Sequence, residues 1–217
     1  MLFLSHLYLN PSNRNVQRDI VDCRAMHTTV MTAFPSVDAN ARQAFGVLYR
    51  LEKDTPALLV QSKVAPNWGY LPHGYVLLEP AVKSVGDHYD QLTEGMVLRF
   101  RLKANPTKKI DTKTGPDGRR RNGRRVALFG EDEQIGWLER RAELGGFELL
   151  NMASQPELYD VAIGQSHVER SRSGLAFGSV TFEGRLRITD RDRFRDTLIS
   201  GIGSGKAYGF GLLSVAP

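Results

Sequence analysis

Apolar and polar residues alternate from Leu98 to Ala104 within residues 95–104, GMVLRFRLKA. Met96, Leu98, Phe100 and Leu102 fall on one side, and Arg99, Arg101 and Lys103 on the other. A period of two puts these sets on opposite faces of a strand, so the stretch predicts a half-buried strand with a cationic outer face. Residues 14–34 carry a different period. Val16, Ile20, Cys23, His27, Val30 and Phe34 recur at steps of three and four, which predicts one helix with a shared apolar face. Around it, residues 2–9, 44–52 and 57–64 read as strands, the last two separated by the turn-like EKDTP. GYVLLEPAV is a further extended run, and the polar SVGDHYDQLTEG, residues 84–95, reads as a boundary.

The second half repeats the theme. VALF is a short strand. EDEQIGWLERRAELGG predicts a helix with acids in its first turn, Ile135, Leu138 and Ala142 on one face, and glycines after its end. Residues 159–188 read as a long hairpin around ERSRSG, with TFEGRLRI its clearest strand. DRDRFRDTLIS predicts a second helix, followed by a glycine-rich loop and a closing strand, LLSV. Each half therefore approximates β-α-β-β-(α)-β, the split βαβ pattern. The expected fold class is α+β, with two tandem ferredoxin-like domains at 1–90 and 95–217. Such sheets bury one face under helices and leave the other open, an arrangement suited to RNA.

Composition narrows the function. The 217 residues are 41% hydrophobic and 24% charged, values of a soluble globular protein. No run approaches the eighteen or so apolar residues of a membrane span. The N-terminal MLFLSHLYLN lacks a basic flank and reads as a strand, not a signal peptide. Cys23 is the one cysteine, which excludes an internal disulfide and a cysteine-based zinc site and points to a reducing cytoplasm. The net charge of +5 is unevenly spread. Residues 99–125 hold eleven Lys or Arg and two Asp, so that segment is +9 and the remainder is −4. Concentrated positive charge is what tracking a phosphate backbone requires, and a solvated loop is the alternative use.

The glycine-rich stretch, GIGSGKAYGFG, contains Gly201, Gly203, Gly205, Gly209 and Gly211 around Lys206. It is not a Walker A loop: Ser200 stands six residues before Lys206 where that motif has glycine, and Ala207 follows where it has Ser or Thr. Nor is it a dinucleotide fingerprint, because Lys206 takes the third glycine's place and a strand follows instead of a helix. The residues alone leave tight turns and close strand packing as one use of these glycines, and anion contact as another.

Seven segments in order bring a family into view: YLNP near the start, an R-D…M-H helix at 18–27, LLVQS at 58–62, LRFRLKANPTKK at 98–109, GWLERR at 136–141, FEGRLRITD at 182–190, and the closing GIGSGKAYGFGLLSVAP. Together they resemble the CRISPR-associated CasE endoribonucleases, the repeat-processing subunits of the type I-E Cascade complex. The resemblance implies binding of the CRISPR repeat stem-loop and cutting of precursor crRNA at the 3′ base of the stem. The 2′-hydroxyl beside the scissile phosphate would attack it, with no metal and no cofactor, leaving a 2′,3′-cyclic phosphate. The product would then be carried into Cascade with the other subunits. The free chain is expected to be a monomer.

The resemblance also implies site residues. His27 occupies the family's catalytic histidine position, and histidine suits either proton-transfer role near neutral pH. Phosphate contacts are expected from Arg99, Arg101, Lys103, Lys108, Lys109, Arg119, Arg120, Arg121, Arg124, Arg125 and Lys206. Arg170 and Arg172 would sit near the tip of a hairpin that enters the RNA groove. Tyr208 and Phe210 are candidates for stacking or core packing. Two departures stand out. Arg24 replaces a tyrosine three residues before the histidine, and Thr28, Thr29 and Thr32 stand where a basic residue sometimes follows. Arginine stays protonated and serves as a phosphate clamp, not as a base. The sequence therefore leaves open whether His27 is acid or base, and a catalytically weak RNA-binding scaffold is the alternative reading.

Overall fold

The computed structural model describes residues 1–37, 40–52, 55–110, 124–150, 161–163, 167–170 and 176–217. Strands β1 (Phe3–Tyr8), β2 (Leu48–Leu51), β3 (Ala57–Ser62) and β4 (Ala81–Ser84) form one antiparallel sheet in the order β2-β3-β1-β4. Two helices, α1 (Arg14–Val21) and α2 (Cys23–Met31), followed by the short α3 (Ala41–Ala44), connect β1 to β2. Between β3 and β4 there is a 3₁₀ turn, Trp68–Tyr70, and α4 (Gly86–Asp90) follows β4. The second half begins with β5 (Val97–Ala104), then a ribbon of β6 (Thr107–Ile110) and β7 (Arg124–Ala127), then α5 (Glu131–Leu144). Next come β8 (Phe147–Leu149), β9 (Val161–Ile163), β10 (His167–Arg170), β11 (Ala176–Ile188), α6 (Arg191–Ser200), a 3₁₀ turn Lys206–Tyr208, and β12 (Leu213–Ala216). The second sheet runs β10-β11-β5-β12, with β8 and β9 also on β11. In both sheets the opening strand lies between the penultimate and the last. The chain is thus mixed helix and antiparallel sheet in two ferredoxin-like halves.

Each sheet carries its own core. In the first, Leu7, Leu9, Val47, Tyr49, Leu58 and Val60 pack against Val16, Met26 and Val30 of the helices. In the second, Leu98, Phe100, Leu102, Phe182 and Leu186 meet Trp137, Leu138, Phe194 and Leu198. The alternation of β5 reads through directly, except that Met96 lies before the strand and is 40% exposed.

The single helix expected over 14–34 is two. Asp22 breaks it, with an extended backbone at φ −131°, ψ 100°. Its N–H donates to the Arg18 carbonyl at 3.1 Å, closing α1. Its Oδ1 accepts from the Arg24 and Ala25 N–H groups at 3.0 and 3.4 Å, opening α2. One short acid therefore caps both helices. The break also turns α1, leaving Ile20 43% exposed and off the shared face. The buried Asp19 accepts from the Tyr75 hydroxyl at 2.9 Å, tying the segment before β4 to α1. The extended run GYVLLEPAV is a strand only from Ala81, preceded by an isolated bridge between Leu9 and Val76.

The halves meet along a polar seam. Arg50 on β2 is 4% exposed. Its Nη1 donates across to the carbonyls of Arg101 and Leu212 and to Ser214 Oγ, at 3.1, 3.2 and 2.9 Å. Its Nε and Nη2 hold Glu52 Oε1 at 2.8 and 2.7 Å. The other Glu52 oxygen accepts from Arg101 at 2.7 Å, and Arg101 continues to Glu183 at 2.6 Å. Gln61 on β3 donates to the Leu198 carbonyl at 2.8 Å and accepts from Tyr89 at 3.1 Å.

Candidate ribonuclease site

His27 sits on α2 where the glycine-rich loop crosses it. The loop's five glycines all have φ between 74° and 89°. At Gly211, φ is +89° and a Cβ would lie 2.6 Å from the Ile202 carbonyl, so only glycine fits. The Gly211 N–H donates to the Lys103 carbonyl at 2.8 Å, and the Ile202 N–H donates to the Gly211 carbonyl at 2.9 Å. The loop is thereby stitched to β5 and folded on itself, and its 3₁₀ turn, Lys206–Tyr208, is delivered to α2 and β2.

Two tyrosines frame the imidazole. The Tyr49 ring lies nearly parallel to it, at 6.5 Å between centroids and 14° between planes. Tyr208 meets it edge-on at 6.2 Å and 64°. Tyr49 is 2% exposed, and its hydroxyl donates to the Ala207 carbonyl at 2.8 Å. Tyr208 is braced from behind by Phe177, at 4.9 Å.

His27 Nδ1 is buried and has no hydrogen-bond partner among the described residues. Burial lowers the imidazole below its ordinary value of 6.5, and the positive charge of Arg42 adds to the effect. Arg42 comes from α3 and is anchored by a 3.3 Å bond from Nη1 to the Val47 carbonyl. Lys206 feels the same surroundings. Burial lowers its ammonium pKa first, then Arg42 and Arg141. Its Nζ donates to the Ser200 carbonyl at 2.7 Å. His27, Arg42 and Lys206 therefore form one electrostatic neighbourhood, cationic and partly dry. Such a site stabilises negative charge that develops during a reaction.

The other expected residues divide. Arg24 is exposed on the first turn of α2, three residues before His27 and so on the adjoining helix surface. Thr28 and Thr32 spend their hydroxyls on the Arg24 and Thr29 carbonyls, at 3.1 and 2.8 Å. Arg99 is exposed, with its Nε donating to the Pro217 carbonyl oxygen at 3.1 Å. Arg101 and Lys103 are not on an open cationic face. Arg101 is held by Glu52 and Glu183 in the seam, and Lys103 is buried beside the Phe210 ring at 5.6 Å. Phe210 is fully buried, so it packs in the core. Lys108 is exposed and pairs with Glu133 at 2.6 Å, while Lys109 is exposed on the same ribbon. Arg124 and Arg125 open β7 opposite Ile110 and Lys109. Arg170 ends β10 opposite Ala176. Arg119, Arg120, Arg121 and Arg172 lie outside the described residues.

Sequence reasoning missed Arg42, Tyr49 and Arg141. Nothing periodic marks Arg42, which reaches the site through a four-residue helix. Tyr49 reads as an ordinary strand residue. No cluster of three or more His, Cys, Asp or Glu among the described residues is placed to hold a metal ion.

Comparison with known proteins decides the family. A family model described as CRISPR associated protein matches residues 2–217. The CRISPR-associated endoribonuclease Cse3 of Thermus thermophilus is 37% identical over 226 residues, covering 100% of both chains. The chain belongs to the Cse3/CasE family of CRISPR-associated proteins. The Cascade subunit CasE of Escherichia coli is 36% identical over 129 residues, 58% of this chain and 61% of that one. A structure of the endoribonuclease Cse3 bound to a 19-nucleotide RNA superposes with a TM-score of 0.82 at 38% identity, over 100% of this chain and 98% of that one. This Cse3/CasE protein thus shares the whole fold of an RNA-bound relative. Among its described residues, no helix is long and apolar enough to cross a membrane.

Proposed function

We propose that this Cse3/CasE protein is a metal-independent endoribonuclease. It binds the stem-loop of the CRISPR repeat, cuts precursor crRNA at the 3′ base of the stem, and stays on the product as a subunit of Cascade in the cytoplasm. The observation that carries the reading is His27, held by α2, Tyr49 and the glycine-rich loop beside the positive charge of Arg42, in a chain that matches an endoribonuclease along its full length.

The chemistry follows from the site. A depressed pKa keeps the imidazole neutral at pH 7, the form that accepts a proton from the 2′-hydroxyl. The 2′-oxygen forms its bond to phosphorus and the bond to the 5′-oxygen breaks. The 5′-oxygen ends as a hydroxyl, so no net proton is consumed. Arg42 and Lys206 supply positive charge where the phosphorane gathers negative charge, and Arg24 meets the phosphate from the exposed side. Residues 1–90 and 95–217 are the proposed domains, each holding one main sheet and one core. Lys108, Lys109, Arg119–Arg121, Arg124, Arg125, Arg170 and Arg172 are proposed to track stem phosphates.

One observation favours a second reading. Arg24 replaces the tyrosine that the family resemblance leads one to expect, which fits a subunit that binds repeat RNA and cuts it poorly. Single-turnover cleavage of the cognate repeat RNA in EDTA separates the two. Wild type should cut at one site and leave a 2′,3′-cyclic phosphate, and His27→Ala should lose about a hundred- to ten-thousandfold in rate with binding kept. Tight binding with no cutting by either protein establishes the scaffold reading instead.

A further inference from the structure

A second cationic cavity lies along the glycine-rich loop, lined by Lys206 but not by His27. It encloses about 330 Å³ between β7, α5, α6 and the loop, at the lower end of the range for small-ligand sites. Its polar lining is Arg125, Arg141, Thr197, Ser204 and Lys206, together with the backbone of Gly201–Gly203. No carboxylate is among the described residues that line it. Three cations around one cavity repel each other, and an anion placed between them converts that repulsion into attraction. The walls are braced. The Arg141 guanidinium stacks over the Trp137 ring at 5.6 Å, and Trp137 is buried in the core. Thr197 is fixed by its bond to the Gly145 carbonyl at 3.2 Å, and Arg125 donates to Thr107 Oγ1 at 3.4 Å.

We propose that this cavity is a phosphate-binding pocket that holds a second phosphodiester of the same RNA strand, close to the one being cut. The inference rests on the ribonuclease reading above. Its geometry comes from one turn. Lys206 opens the 3₁₀ turn and lines the cavity, while Tyr208 closes the turn and packs on His27. Lys206 and Tyr208 are two residues apart, a rise of about 4 Å along a 3₁₀ turn. The two sites are therefore neighbours across one turn, placed for nearby phosphates of one strand. The depressed ammonium pKa of Lys206 agrees, since burial and then the charges of Arg42 and Arg141 work against its proton until an anion arrives. A strand held at two nearby phosphates is fixed in direction as well as position, so the pocket would set the register of the cut.

The test uses repeat RNAs that each carry one neutral methylphosphonate within three nucleotides of the cleavage site. Affinities of wild type, Arg141→Gln and Arg125→Gln are measured by filter binding at fixed salt. The exposed Arg125 guards against a folding defect at the half-buried Arg141. One methylphosphonate position should weaken wild type about tenfold or more, and should weaken Arg141→Gln and Arg125→Gln no further. Variants that bind every RNA as wild type does, or that lose affinity independently at every position, overturn the pocket. A second arm uses inorganic phosphate and the protein alone, with thermal unfolding at constant ionic strength. Phosphate should raise the Tm of wild type more than that of Arg141→Gln, and equal shifts overturn the pocket. Phosphate binding without any repeat binding would instead leave the pocket standing and remove the RNA reading.

Discussion

The Tyr49 hydroxyl donates to the Ala207 carbonyl at 2.8 Å, so a strand of the first sheet holds the loop that closes the second. The same Tyr49 ring lies parallel to His27. Tyr49→Phe keeps the ring and removes the hydroxyl that bonds Ala207 and, at 3.5 Å, the Cys23 carbonyl. We expect a loss of about 1 kcal/mol in stability, because the Ala207 carbonyl loses its donor. Single-turnover cleavage should fall more steeply, roughly ten- to a hundredfold, as the loop shifts relative to His27. Chemical denaturation and cleavage on the same preparation separate the two effects.

The pH dependence of cleavage should carry the signature of a depressed histidine. With His27 as the group that takes the 2′-hydroxyl proton, the rate needs the neutral ring and falls as pH drops through its pKa. Burial and Arg42 lower that pKa, so the acid limb lies below 6.5. Arg42→Met removes one cause and leaves burial. The limb should move to higher pH, and the plateau rate should fall as well. A profile measured under single-turnover conditions reads both.

The seam makes a separate prediction about stability. Burial alone would raise the Glu52 carboxyl, but Arg50 and then Arg101 outweigh it and hold the pKa below the ordinary carboxylate value. A carboxyl depressed in the fold stabilises it above the unfolded pKa, and that stability is lost as pH falls through the folded value. Glu52→Gln leaves Arg50 buried without its charge partner, which costs on the order of 3 kcal/mol at neutral pH. The gap between wild type and Glu52→Gln in urea denaturation should be full at pH 7 and should close as the pH drops below about 4.

Gly211→Ala tests whether the loop's shape is steric. A Cβ at 2.6 Å from the Ile202 carbonyl, at φ +89°, forces the backbone to move. We expect at least about 2 kcal/mol of destabilisation. Gly95 also has a positive φ, of 83°, but nothing lies within 4 Å of its Cβ position. Gly95→Ala should therefore cost less, about 1 kcal/mol, from backbone strain alone. The difference in Tm between the two variants reads the steric part.

Removing the charges of Arg119, Arg120 and Arg121 together should weaken repeat binding in a salt-dependent way. Each lost duplex phosphate contact lowers the slope of log K against log salt by about 0.9, so three contacts lower it by roughly 2 to 3. Titrations from low to moderate salt measure it directly. An unchanged slope removes these residues from the interface.

The alternation in β5 predicted its buried and exposed sides but not what lies against the exposed one. Arg101 and Lys103 do point away from the core of their own sheet. That face is then met by Arg50, Glu52 and the glycine loop, so Lys103 is buried and Arg101 is taken up by two carboxylates. Local period carries no information about a partner surface some fifty residues away. The helix over 14–34 failed for a related reason. Its apolar spacing continues across Asp22, and nothing in the period shows that this acid caps two helices at once. The position of His27 was readable because its motif is local and its order among the other segments is specific. Arg42 and Arg141 were not readable, because tertiary packing alone brings them to Lys206.

Tyr49 and Arg50 are neighbours on one strand, and they serve opposite sides of it. Tyr49 holds the loop over His27, and Arg50 reaches across to the Arg101 and Leu212 carbonyls. Shifting β2 by a single position would exchange the two jobs. The strand thus works as a key cut on both edges: it sets how the halves sit and how the histidine is presented in the same act. Any change that lets the halves drift will be felt first as a loss of accuracy at the cut, before the protein loses its fold.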